Sequence, residues 1–309
     1  MASILTNGSA MTALQTLTAT IRKLDEVQTR ISTGLRVGKA EDNAAYWSIA
    51  TTMRSDNGAL STVKDALGLG SATIDVAYTG MNSAIESVKQ IKLKLVAARQ
   101  PGVDRGKIQS EITELQRQLV NVGATSVFSG ENWISVDSSS PGYNQTKTIV
   151  ASFSRTNGEI SIGTISVSVE DIKLFDAADQ SGILDTEDTT ENGGVTYSVA
   201  TLDISDLTNS DDDTADLEQM IAWVDSAMTQ MTLSAANLGA VKQRVTLQRD
   251  FVVTLMDAIT RGVGALVDAD MNEESTKLQA LQVQQQLGVQ SLSIANQNSQ
   301  NILSLFRGQ

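Results

Sequence analysis

Residues 14–35 read Leu-Gln-Thr-Leu-Thr-Ala-Thr-Ile-Arg-Lys-Leu-Asp-Glu-Val-Gln-Thr-Arg-Ile-Ser-Thr-Gly-Leu. Leu14, Leu17, Ile21, Leu24, Gln28, Ile31 and Leu35 advance by three and four residues in alternation. That is the period of a helix laying one apolar seam against another helix, with a polar interruption at Gln28. Thr33-Gly34 offers the stop, because glycine enters the left-handed conformation that ends a helix without steric cost. The far end of the chain repeats the pattern. Leu278, Leu281, Gln285, Gly288, Leu292, Ala295, Ser299, Ile302 and Phe306 follow the same steps, after Asp270 in capping position.

Between the two ends, Asp42 or Asn43 is placed to cap a second helix at Ala44. Only single glycines at 58, 68, 70 and 80 interrupt the helical pattern from there to Arg99. At about 1.5 Å per residue such a helix is on the order of 80 Å long, which suggests a rod. Pro101-Gly102 ends it, and Asp104 caps a third helix carrying Ile108, Ile112, Leu115 and Leu119, expected to fold back antiparallel.

After Gly123 the pattern turns to strands. Val150 to Arg155, Asn157-Gly158 and Glu159 to Ile162 predict a β-hairpin, since Asn-Gly suits the tight type I′ turn. The alternation Ile160, Ile162 changes parity at Ile165, Val167 and Val169, so a bulge or bend is expected at Gly163-Thr164. Val195, Tyr197 and Val199 suggest another strand. Asp213 or Thr214 then caps a helix bearing Leu217, Met220, Val224, Met231, Leu238, Val245, Val252 and Ile259, with Gly262 and Gly264 expected to interrupt it. The fold class is therefore mainly α: a long antiparallel helical rod with coiled-coil N- and C-terminal helices and a small β-rich central region. Residues 1–40 and 268–309 form the terminal coiled coil in this division. Residues 41–175 and 214–267 form the rod with its hairpin, and 176–213 a surface-exposed acidic segment.

Composition narrows the function. The 309 residues include no His and no Cys. A Ser-His-Asp triad, a thiolate nucleophile and a His- or Cys-ligated zinc are thereby excluded. No GxxxxGK[ST] or GxGxxG motif accompanies Gly34 and Gly38, so they read as a helix break rather than a phosphate loop. Asp211-Asp212-Asp213 lacks the Gly and terminal Glu of a calcium loop. No catalytic, metal or cofactor site is expected, and the chain does not read as an enzyme; a hydrolase using acids such as Glu187-Asp188 would need a cleft that no motif announces. Residues 170–216 hold 14 acids and one base, Lys173, while the rest of the chain is balanced. There is no basic stripe for nucleic acid, and the acidic segment would repel both nucleic acid and anionic membrane. No charged n-region precedes an apolar run at the start, so export by a secretory signal peptide is not expected. Trp47, Trp133 and Trp223 are expected to be packing residues.

The two terminal helices pose a physical problem. Their apolar faces are broader than one seam. Ile4, Met11, Val27, Val283, Leu287, Val289 and Ile294 fall off the heptad and would stay exposed in a lone hairpin. Exposed apolar patches mark interaction surfaces. Copies of the chain covering each other in an open, head-to-tail array would resolve the problem.

The same regions carry a family resemblance. The opening Ser3-Ile4-Leu5-Thr6-Asn7 is similar to bacterial flagellin, as are Arg30-Ile31-Ser32-Thr33-Gly34-Leu35-Arg36-Val37, Ala40-Glu41-Asp42-Asn43-Ala44-Ala45 and Ile49-Ala50. Asn237-Leu238-Gly239-Ala240-Val241, Asp268-Ala269-Asp270-Met271 and Ile294-Ala295-Asn296-Gln297 through Ile302-Leu303 to Arg307 resemble its C-terminal signature. The compact centre is similar to flagellins of soil alphaproteobacteria. Two departures stand out: Asp42-Asn43 where flagellins usually have two Asp, and Tyr46-Trp47 where they have small or aliphatic residues.

The resemblance implies a structural subunit that polymerises into the flagellar filament, the propeller of swimming motility. It implies termini that are unstructured in the monomer and pair on assembly, export of the unfolded chain through the flagellar type III channel, addition at the distal tip, and an extracellular location. The implied partners are further copies of the chain or sister flagellins, cap and hook-associated proteins, and an export chaperone. A hook–filament junction protein is the alternative within the same architecture. The polymerisation interface is expected at Ile4, Leu14, Leu17, Ile21, Leu24, Ile31, Leu278, Leu281, Leu287, Leu292, Ile294, Ile302 and Leu305. The signature residues are Arg30, Ser32, Gly34, Leu35, Arg36, Asp42, Asn43, Asp268, Asp270, Asn296 and Arg307.

Overall fold

The computed structural model describes residues 7–156 and 158–307, the side chains of 299 and 301–307 excepted. Five helices dominate: α1 (Gly8–Thr33), α2 (Ala44–Ala98), α3 (Arg105–Thr125), α4 (Asp211–Val267) and α5 (Met271–Arg307). Between α3 and α4 the described residues form eight strands. Six are two residues long and form three pairs, β1 (Val127–Phe128) with β2 (Glu131–Asn132), β3 (Ser135–Val136) with β6 (Phe175–Asp176), and β7 (Asp188–Thr189) with β8 (Thr196–Tyr197). The other two, β4 (Thr146–Thr156) and β5 (Glu159–Ser168), form an antiparallel hairpin closed between Thr156 and Glu159, with Gly158 at φ +88°. The chain is mainly α, as its periodicity predicts. It divides into two compact units, Met1–Asn57 with Asp257–Gln309, and Gly58–Met256.

Within Gly58–Met256, α2 and α4 run antiparallel. Lys92 pairs with Asp225, Arg99 with Glu218 and Lys242 with Asp75, all in one register. The core draws Leu67, Ile74, Met81 and Leu95 from α2, Ile112 and Leu119 from α3, and Met220, Val224 and Met231 from α4. The helix-weakening glycines of α2 have a packing reason. A Cβ on Gly70 would lie 2.6 Å from Ile149, and one on Gly80 2.7 Å from Ile134, so these glycines admit the strand region close to the helix. Gly262 and Gly264, expected to interrupt α4, do not; the helix is continuous for 57 residues. A lone glycine costs only about 1 kcal/mol in a helix, which the packing of a long one overrides. α4 also starts before Asp213 or Thr214. Ser210 Oγ accepts from Asp213 N, and Asp211, Asp212 and Asp213 fill the first turn, where carboxylates complement the helix dipole.

The hairpin corrects the expected bulge. The extra residue is Ala151 on β4, opposite the Gly163–Thr164 step; β5 itself is regular. Ile165 and Val167 face the core, and Ile160 and Ile162 lie on the other, exposed face. The parity change in the sequence therefore marks two faces, not a bend of β5.

The segment 176–213 is expected at the surface, and Asp179, Glu187, Glu191, Asp203, Asp206, Asp211 and Asp212 are exposed. Most of its large apolar residues are not: Leu184, Tyr197, Val199, Leu202 and Ile204 are buried, while Val195 is exposed. Buried polar side chains of α3 anchor it. Gln109 donates to Leu202 O and accepts from Ile204 N, Gln116 donates to Val199 O and Leu202 O, and the Arg105 guanidinium donates to Ala98 O and Thr208 O. Trp133 is buried, and Trp223 packs edge-on against Tyr197 with ring centroids 6.4 Å apart. Trp47, expected to pack, is instead exposed on the first turns of α2.

Candidate functional site: the paired termini and their hinge

α1 and α5 lie against each other in antiparallel register. Asn7 Nδ2 donates to Ala295 O at 3.1 Å at one end, and Arg30 reaches Glu274 at 3.6 Å at the other. Asn7 also caps α1 by accepting from Ala10 N. The α5 side of the seam is the one its heptads predict: Leu278, Leu281, Gln285, Gly288, Leu292 and Ala295 are its sheltered positions. Gly288 leaves room for Leu17, whose Cδ1 would sit 3.1 Å from a Cβ there.

The α1 side is rotated relative to expectation. Its sheltered stripe is Ala13, Leu17, Thr20, Leu24, Val27 and Ile31. Val27, expected to be exposed, is only 6% so, while Leu14 and Ile21 are 53% and 39% exposed. The rotation keeps Gln28 in water and takes Thr20 inside, whose hydroxyl is satisfied by Thr16 O at 3.0 Å. Burying a hydrogen-bonded hydroxyl costs less than burying an amide with nothing to bond.

Beyond the seam the pair presents uncovered apolar residues. Met11, Leu14 and Ile21 stand out from α1, and Val283, Leu287, Val289 and Ile294 from α5, the α5 residues all more than half exposed. The exposed threonines of α1 bond within the helix: Thr12, Thr16, Thr18, Thr29 and Thr33 each donate to the carbonyl four residues back. Ile4 lies outside the described residues, and the side chains of Ile302, Leu305 and Arg307 are likewise not described.

Of the residues expected as family signature, Gly34, Leu35, Arg36, Asp42, Asn43, Asp268 and Asp270 build the hinge below the pair. Gly34 ends α1 at φ +72°, with its N–H on Arg30 O at 2.8 Å. Leu35 then bridges Asp268 as a short antiparallel pair. Arg36 N and Val37 N donate to Val267 O, and Ala269 N donates to Gly34 O. The Arg36 guanidinium reaches Leu266 O at 3.0 Å. Val37, Ala50, Val263 and Val267 form a small core with Leu35, Met53, Ile259 and Leu266. Of the two candidate caps for α2, Asn43 takes the role, accepting from Tyr46 N. Asp42 instead accepts from Gly38 N and Lys39 N, and those amides hold its carboxyl below the usual range. Asp270 caps α5 through Asn272 N and Glu273 N. Arg30 also pairs with Glu26, and Ser32 and Asn296 are exposed. Sequence reasoning missed Glu274, which is buried in the seam and held by Lys277 at 3.0 Å; its place in the heptad was the available signal.

Nothing lies within 4 Å of a Cβ built on Gly34, so its replacement strains only the backbone. Gly34→Ala is expected to cost about 1 kcal/mol. Amide exchange at Arg36 and Val37 then speeds about fivefold, the factor that free energy sets; unchanged exchange would show that the hinge does not depend on the left-handed residue.

Known proteins similar to this chain decide the family. The model of the bacterial flagellin N-terminal helical region matches residues 4–138, and that of the C-terminal helical region residues 221–306. Flagellin C of Rhizobium meliloti is 49% identical over 326 residues, spanning 99% of this chain and all of the relative. Flagellin A of the same species is 43% identical over 396 residues with the same two shares. A flagellin of Brucella melitensis is 43% identical over 309 residues, spanning both chains in full.

The chain belongs to the bacterial flagellin family.

As a flagellin it is a structural subunit of the extracellular flagellar filament that drives motility, and not an enzyme. Its self-association into the filament follows from the family. The two matched regions hold every hinge residue described above.

Proposed function

We propose that this flagellin is held in the filament by the uncovered face of its α1–α5 pair, with residues 1–40 and 268–309 as inner core. Leu14, Ile21, Leu287 and Ile294 contact neighbouring subunits, while Leu17, Leu24, Ile31, Leu278, Leu281 and Leu292 build the platform that presents them. Ile4, Ile302 and Leu305 belong to the same proposed interface on the ground of the sequence pattern alone. The observation that carries the reading is the row of large apolar side chains left in water by an otherwise paired helix. Covering each contributes about 1–2 kcal/mol. The threonines alongside support it, because hydroxyls already bonded within the helix can be buried without losing a partner. In this reading residues 41–175 and 214–267 form the surrounding shell and 176–213 the outer segment. The chain travels unfolded through the flagellar export channel, escorted by a chaperone, and adds at the distal tip under the cap, on a filament seated on hook-associated proteins. A chain without cysteine suits that route, having no thiols to cross-link while unfolded.

Seeded elongation tests the interface. Leu14→Glu with Ile21→Glu, or Leu287→Glu alone, is expected to leave the melting of Gly58–Met256 unchanged and to slow growth on filament fragments at least about a hundredfold, equivalent to losing about 3 kcal/mol of contact. Growth at the unmodified rate would place the interface elsewhere.

A further inference from the structure

The first turns of α2 hold a second uncovered surface. Tyr46, Trp47 and Ile49 are 41%, 37% and 48% exposed, while Ala50 and Met53 of the same turns pack into the hinge core. The surface is rigid. Asn43 caps the turn through Tyr46 N, Trp47 N donates to Asn43 O at 2.9 Å, and Asp42 fastens the chain just before it. Residues 44–53 contain no charged side chain. A charge-free face built on two aromatic rings has no charge with which to pair a phosphate or another ionic group. It has the composition of an interface anchor, in which rings held in place lose little entropy on being covered. It also lies in the same compact unit as α1 and α5.

We infer that Tyr46, Trp47 and Ile49 seat against a second copy of this chain, an inference that rests on the filament reading. An open array of identical copies needs two different surfaces that fit one another, and this face, set apart from the α1–α5 face in the same compact unit, supplies one of them. Because the platform is fixed by the hinge, this contact also sets the direction in which the hinge presents α1 and α5 to the neighbour.

Tryptophan fluorescence separates this inference from the filament reading. Full-length chain is grown on sheared fragments, and emission and iodide quenching are compared between monomer and filament for the unmodified chain and Trp47→Phe. Assembly is expected to shift emission to the blue and reduce quenching, and both differences disappear in Trp47→Phe, because Trp133 and Trp223 are already packed in the single chain. Trp47→Ala is expected to raise the free-chain concentration left after growth about tenfold or more, the scale of truncating a buried aromatic anchor, and Trp47→Phe to recover most of the loss. Filaments that grow while Trp47 stays fully quenchable overturn the inference and leave the surface free for another protein. No growth on seeds even by the unmodified chain would overturn the filament reading instead.

Discussion

Chains lacking residues 1–35 or 275–309 are expected to fail to elongate filament fragments while Gly58–Met256 melts as in the full chain. Removing 1–35 takes away Met11, Leu14 and Ile21 and strips Leu278, Leu281 and Leu292 of their partners. Removing 275–309 takes Leu287 and Ile294 and exposes Leu17, Leu24 and Val27. Either loss forfeits several side-chain burials of about 1–2 kcal/mol each. Growth should therefore fall by more than about a thousandfold, below detection. The second unit has its own core and its own antiparallel pairings, so its thermal transition by circular dichroism should not move. A clipped chain that polymerised normally would show that the terminal pair is not the assembly face. A clipped chain that lost its thermal transition would show that the units do not fold separately.

The largest loss of stability in the second unit is expected from Asp176→Ala. Asp176 is fully buried and accepts from Ser138 N, Ala178 N and the Lys173 ammonium, which is itself buried and also pairs with Glu170. Removing the carboxylate leaves a buried cation and two amides short of a partner, at a cost of about 3–5 kcal/mol. In a unit of this size that lowers the melting midpoint on the order of 10 °C. The pair also dictates the pH response. Burial by itself would raise the Asp176 carboxyl, but the Ser138 amide, Lys173 and the Ala178 amide outweigh it and hold the group far below its ordinary value. A depressed folded-state pKa stabilises the fold fully above the unfolded value of about 3.9, and that contribution is lost as pH falls through the folded one. Burial alone would lower the Lys173 ammonium, yet its bonds to Glu170 and Asp176 raise it. Its contribution is complete below about pH 10.4 and is lost as pH rises through the folded value. Urea midpoints of the unmodified chain and Asp176→Asn should thus differ most between about pH 4 and 10 and converge in stronger acid. A gap that stayed constant down to acid unfolding would mean that Asp176 is not ionised in the fold.

Much of this was legible along the chain. Helices betray themselves by periodicity, and their ends by local chemistry: Asn43, Asp104 and Asp270 cap the helices that follow them, and Gly34 stops the one before it. From Leu278 to Ala295 the sheltered positions of α5 are those of its heptad, because only one apolar row on that helix is long enough to choose. On α1 two rows overlap, sharing Leu17, Leu24 and Ile31, and periodicity cannot tell whether Ile21 and Gln28 or Thr20 and Val27 complete the seam.

That choice belonged to the tertiary structure. The partner helix admits the row whose polar member can satisfy itself, Thr20 through its own backbone, and leaves Gln28 to water. The acidic centre shows the same division. Its charge and its turns are written in the sequence, but its attachment through Gln109 and Gln116 of α3, and through the Ser138 amide to the buried Asp176 carboxylate, joins groups far apart in the chain that have no local signal. Spacing and caps are short-range properties that neighbouring residues fix among themselves. Which face is buried, and which buried polar group finds its partner, depends on atoms brought together from distant parts of the chain.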